Sequence, residues 1–174
     1  MQTDNVFFKK FCYYWRMFRQ MRRFKQQLAD EDCKKLLREE PRCILSLLGD
    51  DDYPYGIPMN FYYDEEESVI YFHGAKEGHK VDAIKKHDKV SFCVYDKGFK
   101  KPGEWALNIK SVILFGRMSF IQDEALSVEK CRILGQKYNP SAEAVEEELK
   151  NALPRLQMFA LHIEHISGKI VNES

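Results

Sequence analysis

The segment Ile70–Ile84, reading IYFHGAKEGHKVDAI, constrains the fold most, because it passes from strand to helix within a few residues. Val69, Tyr71 and His73 share one strand face, with Ile70 and Phe72 on the other. Gly74 and Ala75 allow a tight turn, and Gly78 stands where a helix begins. Val81 and Ile84 lie three apart, so that helix has one side able to pack inward.

The first backbone N–H groups of such a helix have no intrahelical acceptor, and His79 and Lys80 add donors beside them. A pocket of this kind suits a phosphate. The segment is neither a GxGxxG nor a Walker A sequence, since no GK[ST] occurs. On these residues alone a second reading stands beside the first: an ordinary strand-to-helix connection with a solvated Lys80. His73 projects from the strand end, where an imidazole can donate to a phosphate or sit beside a bound ring. A lone strand histidine is more often a packed or rim residue.

The rest of the chain supplies more strands. Asp30 is placed to cap a helix through Cys33, Leu36 and Leu37 that Pro41 stops. Arg42–Leu48 reads as a strand, and Gly49–Asp52 as a polar hairpin turn, not a metal site. Tyr53–Tyr63, YPYGIPMNFYY, is strand-like, yet Pro54 and Pro58 each remove a ladder donor. That implies an edge, a bulge, or backbone groups left free for a ligand. Ser68–Gly74 is a third strand, giving an expected meander before the central helix, which ends near His87–Asp88.

Lys89–Tyr95 alternates with period two as a fourth strand, and 97–108 is a loop or lid carrying Trp105. Ser111–Ile121 is a fifth strand, with Gly116 marking a bulge or close approach. Asp123 caps a helix through Tyr138. After Asn139-Pro140, Ser141–Leu153 forms another, with Glu146–Glu148 on its solvent face. Phe159–Ile166 is the last strand, and Ser167-Gly168-Lys169 turns out of it. Six strands, mostly hairpin-connected, predict a mainly β fold: a closed antiparallel barrel with flanking helices.

At 174 residues the chain fits one domain, here 21–174, behind an aromatic and basic extension at 1–20. As a helix, that extension would align Phe7, Phe11, Tyr14, Trp15 and Phe18 in a stripe. It reads as a membrane-surface or partner-binding helix, as a segment packed on its own domain, or as a start misplaced ahead of Met21. Lys and Arg total 27 against 27 Asp and Glu, so a globally cationic nucleic-acid binder is not indicated. Five scattered cysteines without a CxxC pair argue against a disulfide framework or a zinc ribbon. No apolar run approaches the ~20 residues of a bilayer span, and a cytoplasmic protein is expected. His162 and His165 face opposite sides of a strand and cannot chelate one ion. No GxSxG nucleophile motif occurs.

Several segments in this order carry a family resemblance: YPYGIPMNFYY, IYFHGAKEGHKVDAIKKHDKVSFCVY, SVILFGRM and IEHISGKI. Over 21–170 the chain resembles the flavin-binding split-barrel proteins related to pyridoxamine 5′-phosphate oxidase. Within that group it resembles the nitroimidazole-resistance (Nim-type) branch. The most specific piece is His-Gly-Ala-x-Glu-Gly-x-Lys at 73–80, with Pro-x-Asn at 58–60.

The resemblance implies a six-stranded split barrel forming a homodimer with flavin mononucleotide (FMN) at the subunit interface. Gly78, His79 and Lys80 would hold the phosphate. Pro58, Met59 and Asn60 would line the ring, and Ser111 and Val112 would approach the partner's flavin. His73 matches the histidine proposed as functionally important in the Nim branch, and is the candidate catalytic residue. A nicotinamide nucleotide, NAD(P)H, would donate electrons, and a small-molecule acceptor such as a nitroaromatic would receive them. The alternatives are a haem-handling split barrel and a non-catalytic flavin-binding module. The chain lacks the arginine-rich substrate segment and C-terminal arginine ending of true pyridoxamine 5′-phosphate oxidases, so the resemblance does not extend to vitamin B6 oxidation.

Overall fold

The computed structural model describes residues 18–173. The expected helix of the N-terminal extension lies outside them but for its last residues. Seven strands make one antiparallel sheet: β1 Arg42–Leu48, β2 Pro54–Asn60, β3 Tyr62–Asp64, β4 Val69–Ala75, β5 Lys89–Tyr95, β6 Leu107–Phe120 and β7 Leu156–Glu173. Four helices flank it: α1 Asp30–Glu39, α2 His79–Lys86, α3 Glu124–Tyr138 and α4 Ala142–Ala152.

The strand order is β2-β1-β5-β6-β7-β4-β3. Its two end strands are consecutive in the chain and separated only by Phe61, so the sheet curls until its edges meet at one corner. The single strand expected over Tyr53–Tyr63 is therefore two, which is why the sheet has seven strands and not six. Phe61 leaves the ladder to bury its ring completely in the core. Its freed backbone is met by Tyr138, whose hydroxyl accepts from the Phe61 N–H at 2.9 Å. That hydroxyl shares its one proton between the carbonyls of Pro41 at 2.5 Å and Phe61 at 3.0 Å. Buried backbone groups need partners of this sort, and a side chain 77 residues away supplies them.

The expected meander is corrected. β2 pairs only with β1, while β4 pairs with β3 and β7. The two prolines hold β2 at a sheet edge, one of the outcomes expected of them. The last strand is also longer than expected, running straight through Ser167-Gly168-Lys169. Gly168 does not turn the chain. It makes room for α1, since a Cβ there would overlap Cys33 Sγ and press on Leu28. The Gly116 bulge is present as a register shift between β6 and β7 at Phe115/Gly116.

Alternation sorts the side chains. Cys43, Leu45, Leu47, Val90, Phe92, Val94, Val112 and Leu114 point inward and are buried. They join Ile70, Phe72, Phe159 and Leu161, and α1 closes the core with Leu36 and Leu37. The other face of β4 and β7 makes a second cluster, in which Val69, Tyr71, Met158 and Ala160 meet Cys131 of α3 and Leu149 of α4. Asp123 and Ser141 cap their helices as expected, accepting from the N–H groups of Leu126 at 2.9 Å and Ala144 at 3.2 Å. Asp30 does not cap α1: it is the first helical residue, and Ala29 holds the cap position.

One ion cluster ties α3 to the sheet. The ammonium of Lys130, a residue only 4% exposed, lies 2.9 Å from Asp64 and 2.8 Å from Glu67. It also stands 5.0 Å above the Tyr71 ring, whose hydroxyl donates to Glu67. Cys33, Cys43, Cys93 and Cys131 are all free thiols. No helix among the described residues is long and apolar enough to cross a membrane.

Candidate functional site

Helix α2 begins without a side-chain cap. Its first internal bond runs from the Asp82 N–H to the Gly78 carbonyl at 3.1 Å, which leaves the amides of His79, Lys80 and Val81 without a helical acceptor. Gly78 has φ +117°, a conformation that favours glycine, and the space where its Cβ would stand is open. The N-terminal end of α2 is thus bare, polar and positive.

Lys80 folds back over the end of β4. Its Nζ lies 3.8 Å from Met59 Sδ and 5.2 Å from the centre of the Phe159 ring. Beneath it is Gly74, where any Cβ would overlap Nζ. Burial lowers the pKa of this amine, and among the described residues it forms no ion pair. A half-buried cation beside unpaired amides, with no carboxylate to neutralise it, is a place that favours an anion.

The remaining sequence candidates divide. Met59 joins Lys80 directly. His79 is occupied elsewhere: its ring stacks on Tyr55 at 4.1 Å between centroids, with Nε2 3.6 Å from Asp50 Oδ2. Pro58 is exposed on edge strand β2, opposite Ile44, and Asn60 is half-buried opposite Arg42. Since β2 has one strand partner, its second edge keeps free backbone groups. Val112 has no exposed surface and belongs to the core, while Ser111 is half-buried on the outward face of β6. Three inter-strand steps, about 14 Å, separate β2 from β6, so Ser111 and Pro58–Asn60 of one chain do not converge on one ring.

His73 lies on the other face of β4 from Gly74, the face shared with Tyr71 and Val69. There it borders a cavity of about 370 Å³ with Cys131, Val145, Glu148, Leu149 and Leu156. Burial of the ring is the main cause of its lowered pKa; the charge of Lys80 adds to this and Glu148 opposes it. His73 is therefore a neutral imidazole near pH 7, with one edge open to solvent. Glu148, exposed on its helix as expected, also borders this cavity.

Three features escaped the sequence: the Phe159 floor under Lys80, the Tyr55–His79 stack, and the cavity itself. All depend on residues brought together from strands and helices far apart in the chain, and no local pattern signals them. Gly74 and Ala75 do not turn the chain as expected: both pair with β7 inside β4, the bend follows at 76–78, and Gly74 is the place where the lysine rests.

Residues 29–170 match the family model described as pyridoxamine 5′-phosphate oxidase. The chain belongs to this family. No curated protein matches its sequence. Solved structures of similar fold include a candidate 5-nitroimidazole antibiotic resistance protein from Bacteroides thetaiotaomicron. That protein is 17% identical with a TM-score of 0.70, over 84% of this chain and 87% of the other. The flavocytochrome Anf3 from Azotobacter vinelandii is 22% identical with a TM-score of 0.69, over 87% and 72%. A FAD- and haem-binding protein from Mycobacterium smegmatis is 20% identical with a TM-score of 0.67, over 83% and 73%. Membership of the pyridoxamine 5′-phosphate oxidase family fixes the split-barrel fold, a flavin-binding architecture, and accounts for the curled sheet closed at Phe61.

Proposed function

We propose that this protein is an FMN-dependent oxidoreductase that passes electrons from NAD(P)H to a small-molecule acceptor, nitroaromatic compounds among them. The observation that carries the reading is the Lys80 amine: half-buried, unpaired by any described carboxylate, and set beside the free amides of α2. A phosphate monoester fits that donor set, because charge-assisted bonds from Lys80 and backbone amides would replace its hydration.

In this reading Lys80, Gly78 and the first amides of α2 hold the phosphate. Met59 and the free backbone edge of Pro58–Asn60 border the ring. Flavin, when bound, supplies the electron chemistry. The chain's own part is to bind and orient, and to move protons. His73, neutral near pH 7, is the group we assign to proton exchange with the acceptor. A second copy of the chain would bring Ser111 to the site, which one copy leaves three strand steps short. The free thiols accord with a reducing compartment such as the cytoplasm.

The deciding measurement is the absorption spectrum of the purified protein, followed by the mass of any released cofactor. Flavin bands with the mass of FMN are expected, and NAD(P)H should be consumed when a nitroaromatic is added. A Soret band without flavin bands would replace this reading with haem binding. Flavin without turnover would reduce it to a binding module.

A further inference from the structure

The cavity behind His73 has no part in holding the phosphate, yet it is built like a site. It lies between the end of β4, the start of β7 and the facing sides of α3 and α4. Its volume of about 370 Å³ falls within the range of small-molecule pockets. That is room for a ring with one or two substituents, and too little for a dinucleotide. The walls are apolar: Cys131, Val145, Leu149 and Leu156 among them. Next to the lining residues Ala75 and Arg155, Lys76 donates to the Pro154 carbonyl at 2.6 Å.

The polar groups on this wall are few and unequal. Glu148 forms no hydrogen bond or ion pair among the described residues, although its neighbour Glu146 is paired with Arg132. Its charge opposes the fall in the His73 pKa and adds to the burial-driven rise at Cys131. Arg155 lines the cavity too, exposed as Glu148 is, and contributes to neither shift. Beside Arg155 the wall therefore offers one carboxylate without a partner among the described residues, one neutral imidazole and a protonated thiol. Both the carboxylate and the imidazole can accept a hydrogen bond.

We propose that this cavity is a second binding site, for a compact apolar molecule carrying a cationic or N–H-rich nitrogen group, held between Glu148 and His73. The ring or aliphatic body lies against Leu149 and Leu156, and the nitrogen group replaces the water around the carboxylate. Binding here requires nothing of the Lys80 side of β4, so it stands whether or not flavin is the cofactor. Where both hold, the occupant is placed to exchange a proton with His73.

Benzamidine, a flat aromatic cation, and benzoate, its anionic counterpart, are the probes. Calorimetric titration of the full-length protein, with its cofactor content measured, should show saturable binding of benzamidine and none of benzoate. Glu148→Gln, a change at an exposed position, should weaken benzamidine about tenfold, the loss of one charge-assisted bond. Ala152→Phe, filling the cavity from the last turn of α4, should abolish binding while the protein keeps its cooperative melt. Failure of benzamidine to bind, equal binding of benzoate, or unchanged affinity in Glu148→Gln would overturn the proposal. Flavin content is read in the same samples, so the two readings fail separately.

Discussion

The Lys80 amine rests on the bare backbone of Gly74, in space that any side chain at that position would take. Two residues that the sequence assigns separately, one to a turn and one to a phosphate, thus form a single device. Gly74→Ala should displace Lys80 and lower flavin occupancy of the purified protein severalfold, as Lys80→Ala should. The double variant should lose little more than either single one, because both changes remove the same placed charge. Additive losses would mean that Gly74 acts independently of Lys80. Full occupancy in Lys80→Ala would sink the phosphate assignment.

Lys130 makes the α3–sheet contact dependent on pH. Burial pushes the Asp64 carboxyl upward, but bonds from Lys130 and from the Glu67 N–H outweigh it and leave its pKa lowered. Glu67 is lowered too, first by its bond to Lys130 and then by the Tyr71 hydroxyl. With folded values below unfolded ones, the unfolded chain binds more protons as pH falls. The stabilisation is complete above the unfolded range of roughly pH 4–5 and is lost as pH drops through the folded values. Lys130→Met should cost about 3 kcal/mol at pH 7 by leaving Asp64 buried and unpaired. It should also flatten the acid limb of a stability-versus-pH curve from urea unfolding. An acid limb as steep as the parent's would contradict this.

Gly116 sits where β6 meets the β7 bulge, and a Cβ there would collide with the His162 carbonyl and crowd Leu161. Backbone cannot yield as a flexible side chain can. Gly116→Ala should therefore destabilise the protein by roughly 2–4 kcal/mol, well above the usual effect of a surface change. Thermal melting gives the check: a midpoint within two or three degrees of the parent would show that the bulge tolerates a methyl group.

How far the sequence reached follows from which information is local. Arg42–Leu48 and Lys89–Tyr95 announced themselves by alternation, because inward and outward positions must alternate on a sheet with one buried face. Asp123 and Ser141 are caps whose chemistry acts within three residues. Sheet order is different: whether β2 lies beside β4 or at the far edge is settled by packing across the whole chain, and a hairpin reading put it in the wrong place. Ser167-Gly168-Lys169 resembled a turn because Gly168's purpose, admitting Cys33 of α1, lies over a hundred residues away. Lys130 carried no signal, since nothing near it in sequence reveals the carboxylates it faces, and Glu148, exposed as expected, gave no hint of the cavity it borders. The bare N-terminus of α2 with Lys80 was legible because helix start and cation are adjacent. Its floor, Phe159, was not.

The outward face of the central strands leads to the last prediction. Ile44 is 38% exposed on β1 and Phe115 40% on β6, with Cys93 and Ile113 between them half-buried. Phe18 already stacks on His165 at 4.6 Å and on Phe115 at 5.6 Å between ring centres, so this face takes aromatic cover. A convex apolar sheet face of this kind is a candidate subunit interface. Ser111 lies on it too, which would let one copy's β6 approach the other's β2, a distance that a single copy cannot close. Ile113→Arg places a charge in the middle of the face without touching β2 or α2. If this face is the interface of the proposed dimer, the variant should sediment as a monomer, keep a cooperative melt, and release flavin. A folded monomer that retains stoichiometric flavin would show that one chain holds the cofactor alone. A dimer unaffected by the arginine would place the interface elsewhere.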